Sequence, residues 1–99
     1  MTPGLDHAAA LHAAAAPAGV DTEGAEIIKI GDNAFYRLPH QIVARVSRPG
    51  RTAAFKEVAV ARWLARLDVP AARVLDELDQ PIQVNDRYVT FWQELPPHH

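Results

Sequence analysis

The sequence predicts an α+β domain: a mainly antiparallel sheet of about five strands, one helix packed on it, and an extra N-terminal helix. Three observations predict it. Short runs rich in β-branched and aromatic residues recur at 26–30, 34–38, 41–47, 81–84 and 87–93, separated by turn clusters. One strongly amphipathic segment occupies about 53–67. A stretch dominated by Ala lies at 5–16. The 99 residues, 48% of them apolar, suffice for one domain with a modest core.

Taken in order, residues 5–16 have high helix propensity, with Asp6 as N-cap and Pro17 and Gly19 as stop signals. A helix this short is marginal alone, so it must dock or fray. His7 and His12 are five apart and fall on different helix faces, which argues against a metal pair. Residues 18–25 read as a polar connector. Strands 26–30 and 34–38 meet through Gly31, Asp32 and Asn33, and a second turn at Pro39, His40 and Gln41 leads into 41–47. On that last strand Ile42, Ala44 and Val46 share one face and Val43, Arg45 and Ser47 the other. Arg48 to Arg51 form a turn, and Thr52 caps the helix at 53–67. At about 100° per residue, Val60, Trp63, Leu64 and Leu67 make its apolar stripe, with Glu57 on the same side and Arg62 and Arg66 opposite. Phe55 and Val58 fall off the stripe, which leaves them partly exposed or against a second surface. A strand at 73–77 follows. Strands 81–84 and 87–93 form a hairpin about Asn85 and Asp86, with Val89 and Phe91 on one face and Tyr88, Thr90 and Trp92 on the other. Trp63 and Trp92 read as core or interface residues.

Twelve acidic and ten basic residues give a formal charge of −2, which is no footprint for nucleic acid or an anionic membrane. The absence of Cys excludes a disulfide frame, a thiolate nucleophile and a Cys-ligated metal, and fits a cytoplasmic protein. No apolar run approaches the ~20 residues of a membrane span. The Ala-rich stretch has no positive region before it, so a signal peptide is not expected. Arg45 is then the conspicuous residue. A cation among Ile42, Val43, Ala44 and Val46 requires an anionic partner or an exit to water. Glu57, near the first turn of the next helix, can meet it across the sheet–helix interface, leaving guanidinium N–H groups for an oxygen anion. The Gly31–Asn33 turn offers backbone N–H groups at the mouth of the sheet.

An ordered series of segments resembles the N-terminal lobe of the aminoglycoside phosphotransferase and choline kinase-like family, a branch of the protein-kinase-like fold. The series is Gly31 to Leu38, Val43 to Arg48, Glu57 to Leu67 with Trp63 and Leu64, Val69 to Ala71, and Val89 to Pro96. It covers about residues 20–97, so residues 1–19 are expected to be an added helix and connector, and 20–99 the lobe itself, ending at the hinge. The resemblance implies an ATP site. Gly31, Asp32 and Asn33 would belong to the phosphate-covering loop, and Val43 would roof the adenine. Arg45 would stand where kinases place the strand-three Lys, with Glu57 as its partner. Glu94 and Leu95 would offer hinge backbone groups to the adenine edge. The family's loop is less glycine-rich than that of protein kinases, and a single Gly occurs here. Arg in place of Lys at position 45 is a departure from the family's pattern, and the missing residues of the second lobe are a larger one.

The base Asp and the metal-binding Asn and Asp of such enzymes belong to a C-terminal lobe, and no His-x-Asp loop followed by Asn occurs in this sequence. The expectation is an ATP-binding fragment without phosphotransfer activity alone, needing Mg²⁺ only when a C-lobe polypeptide is supplied. The competing expectation is a non-enzymatic interaction module that pairs with a partner, or with itself, through the exposed hinge-side face.

Overall fold

The computed structural model describes residues 6–31, 33–50, 53–67, 73–75, 78 and 80–93. The elements are α1 (His7–Ala18), β1 (Glu26–Ile30), β2 (Asn33–Leu38), β3 (Ile42–Ser47), α2 (Ala53–Arg66), β4 (Ile82–Val84) and β5 (Arg87–Gln93). The strands form one antiparallel sheet in the order β1-β2-β3-β5-β4. The two helices lie on opposite faces of it, because the strands alternate and both faces carry apolar side chains.

The helix α1 forms where Ala content predicts it, and both ends are capped. The Asp6 side chain accepts from the Ala9 N–H at 2.7 Å. Gly19 takes the left-handed conformation at φ 74°, and the N–H groups of Gly19 and Val20 donate to the carbonyls of Ala16 and Ala15, a Schellman ending. The helix runs through Pro17 rather than stopping before it. Pro17 and Ala13, whose carbonyl would have received the missing N–H, are both exposed, so water can replace that bond. Ala10, Leu11, Ala14 and Ala15 pack on Ala34, Tyr36, Leu38, Ala44, Val46, Val89 and Phe91, which form the main core. His7 Nδ1 hydrogen-bonds the Tyr36 hydroxyl, and His12 Nδ1 pairs with Thr22 Oγ1 at 2.9 Å. The two histidines thus have separate partners.

The turn between β2 and β3 places His40 and Gln41 at φ 65° and 59°, so β3 starts at Ile42 and not at Gln41. Leu38 pairs with Ile42, Tyr36 with Ala44 and Phe35 with Arg45. Ala44 and Val46 lie under α1, and Val43 and Arg45 face the other way, as the alternation predicts. The strand β1 is an edge with every residue exposed and a register shift between Ile27 and Lys29.

Only part of the predicted strand at 73–77 lies within the described residues, and it makes a single bridge, Val74 to Trp92. The Leu75 N–H donates to the Phe91 carbonyl at 3.0 Å and the Gln93 N–H to the Arg73 carbonyl at 2.8 Å. The outer edge of β5 is therefore completed in pieces. The strand β4 covers Arg87 to Val89, and residues 73–75 cover Phe91 to Gln93. Gln80 joins the two, its amide oxygen accepting from the Phe91 N–H at 2.7 Å and its nitrogen donating to the Leu75 carbonyl at 2.8 Å. The predicted cap Thr52 lies outside the described residues.

The orientation of α2 corrects the predicted stripe. Its buried residues are Ala54, Val58 and Ala61, whereas Val60, Trp63 and Leu67 are 43%, 53% and 55% exposed. Small side chains let the helix axis approach the sheet, and Val60, Trp63 and Leu67 of the predicted stripe turn outward, while Leu64 is half-buried. Trp63 is accordingly not core, while Trp92 packs with Val58, Ala61 and Val74. Val58 meets this second surface, and Phe55 lies half-exposed with its ring edge-on to Tyr88 at 5.0 Å. Arg62 does not point away: its Nη2 donates to the Leu78 carbonyl at 2.7 Å.

Candidate functional site

The site forms on the α2 side of the sheet, where an interior strand carries a charge. Arg45 sits in β3 between Phe35 of β2 and Thr90 of β5. Glu57 leans over it from the flank of α2. Arg45 Nη2 donates to Glu57 Oε1 at 3.0 Å, and Nη1 contacts Oε2, so two nitrogens face two oxygens. The side chains are 21% and 36% exposed, which leaves a path from solvent to the pair. Burial pulls Arg45 down from its ordinary value. The guanidinium nevertheless stays charged near neutral pH, because its reference pKa is so high. Its carbon lies 5.9 Å from the centre of the Phe35 ring. Phe35 is thus part of the site, and its place was legible: reflecting the chain about His40 sets 35 opposite 45.

Of the five guanidinium N–H donors, those not aimed at Glu57 can take oxygens of an anion. Thr90 is buried beside Arg45, with its hydroxyl occupied by the Trp92 indole N–H at 2.8 Å. That hydrogen bond steadies the floor between Arg45 and Val43. Val43 lies on the same face, half-buried and opposite Trp92, at the strand end beside Gln93. The sequence-predicted pair Arg45 and Glu57 is therefore brought together, with Val43 on the same sheet face.

The Gly31 to Asn33 turn leads into β2 at the sheet end marked by the Asn33 to Ser47 pairing, two register positions from Arg45, or about 7 Å along the strand. The Gly31 N–H donates to the Asn33 carbonyl at 3.0 Å and is occupied in closing the turn. Asp32, Glu94 and Leu95, also predicted for the site, lie outside the described residues. At the same sheet end Ser47 Oγ accepts from the Tyr88 N–H at 2.9 Å, and Arg87 donates to the Ser47 carbonyl at 3.1 Å, fixing β3 against β5.

Among the described residues no group of three or more His, Asp or Glu side chains is placed to hold a metal ion. No helix among them is long and apolar enough to cross a membrane. No protein-family model matches this chain, and neither a curated protein nor a solved structure does.

Proposed function

We propose that this chain is an ATP-binding lobe of the kind found in aminoglycoside phosphotransferase-like small-molecule kinases, a protein-kinase-like N-lobe. The observation that carries the reading is the two-pronged pair between Arg45 in the third strand and Glu57 in the helix that follows. The resemblance links those two positions to a nucleotide site, and the antiparallel five-stranded sheet with one helix on the site face is compatible with it.

In this reading Glu57 holds the guanidinium in one orientation, and the remaining N–H groups of Arg45 bind phosphate oxygens. Val43 packs on the base. Gly31, Asp32 and Asn33 lie over the phosphates, and backbone groups of Glu94 and Leu95 reach the adenine edge. The chain supplies binding and charge neutralisation, while the acceptor hydroxyl and its base require a separate lobe. In this reading Mg²⁺ is needed only when that separate lobe is supplied.

Titration calorimetry with MgATP tests the reading. Heat of binding is expected at millimolar nucleotide, and Arg45→Met should weaken it about tenfold or more, the size of a charge-assisted hydrogen bond. Absence of heat, with the chain folded by circular dichroism, would exclude nucleotide binding by this chain and favour the non-enzymatic interaction module.

A further inference from the structure

The outward face of α2 is a distinct feature from the Arg45 site. Val60, Trp63 and Leu67 line up at spacings of three and four, each about half exposed, on the side of the helix opposite Ala54, Val58 and Ala61. With Lys56 the ridge runs about 16 Å, the length of three helical turns. Its width is one helix face. Such a ridge matches the apolar face of a partner helix better than a strand or an extended peptide, which would contact alternate residues.

The charges choose between partners. The exposed charged residues of α2 are Lys56, in line with the ridge, and Arg66, beside it. Glu57 is engaged with Arg45, and half-buried Arg62 reaches the Leu78 carbonyl. A second copy fits poorly. An antiparallel pairing of two α2 ridges would bring Lys56 of one beside Leu67 and Arg66 of the other, and a parallel pairing would set Lys56 on Lys56 and Arg66 on Arg66. A helix with an apolar stripe bordered by Asp or Glu meets both requirements. We infer that the outward face of α2 docks an acidic amphipathic helix of a partner protein, with Trp63 as its central contact.

The full chain is titrated by calorimetry with three designed helical peptides that share one Leu stripe and carry Glu, Lys or Gln beside it. The Glu peptide should bind about tenfold more tightly than the Lys peptide. Trp63→Ala should weaken it about tenfold. The double variant Lys56→Glu with Arg66→Glu should reverse the order of the Glu and Lys peptides, and it keeps the test independent of any effect of the Trp63 change on folding. Equal affinity for the Glu and Lys peptides, no binding of any peptide at millimolar concentration, or a dimer in sedimentation that Trp63→Ala dissolves would each overturn the inference.

Discussion

A single charge in an apolar strand is stable here because its partner arrives from the next element. Removing Glu57 leaves the half-buried Arg45 guanidinium without its acceptor. Both side chains retain contact with water, so the loss is modest, about 1 kcal/mol. Glu57→Ala should therefore lower the melting temperature by about 4–8 °C. Lys56→Ala, one residue away and exposed, should change stability by less than about 0.5 kcal/mol. Thermal melts of the two variants check this, and equal shifts would contradict a stabilising pair. Tyr36 offers a second test. Burial pushes its phenol up from the ordinary value of 10.0, the Asp6 charge adds to the shift, and Arg87 opposes it. The unfolded chain then loses the phenolic proton before the folded one does. Stability from this group is complete below about pH 10 and declines as pH rises through the folded pKa. Tyr36→Phe should make the melting temperature less sensitive to pH above 10, at a cost near neutrality of about 1 kcal/mol for the lost His7 contact. Unchanged pH slopes would contradict it.

At the scale of elements, the two helices are held differently. The helix α1 has weak amphipathicity but seats Leu11, 1% exposed, among core residues of three strands, β2, β3 and β5. Leu11→Ala should cost about 2–5 kcal/mol, measured by urea unfolding. Gly19→Ala should cost about 1–2 kcal/mol although no atom blocks its Cβ, because the price is the left-handed backbone at φ 74°. The helix α2 is held by small side chains and by two polar contacts, Glu57 to Arg45 of β3 and Arg62 to the Leu78 carbonyl outside the sheet. Its amphipathic pattern was legible, but the side that faces inward was not. Hydrophobicity summed around the helix points to Val60, Trp63 and Leu67. Close approach to a flat sheet instead favours Ala54, Val58 and Ala61, which no sum of side-chain hydrophobicity selects. Glu57 was nevertheless placed near Arg45, because it lies on the flank between the two faces.

For the whole molecule, the sheet divides a large core under α1 from a small one under α2. Native-state hydrogen exchange should follow that division. Amides of β3 and β5 are expected to exchange only through global unfolding, and those of α2 through cheaper local opening. Equal protection of α2 and β5 would show that the smaller cluster is as cooperative as the larger. Much of the architecture was legible from local chemistry. Asp6 and Gly19 marked the ends of α1, the turns at Pro39–Gln41 and Asn85–Asp86 set the strand pairs, and two-residue alternation assigned Ala44 and Arg45 to opposite faces. Those features depend on neighbouring residues alone and are fixed by local chemistry. Packing set the rest: that α1 covers the Phe91 face, that Gln80 and residues 73–75 complete the edge of β5, and that α2 turns Trp63 outward. Each of these depends on which surfaces meet and how closely, and that is a property of packed shapes rather than of any local run of residues.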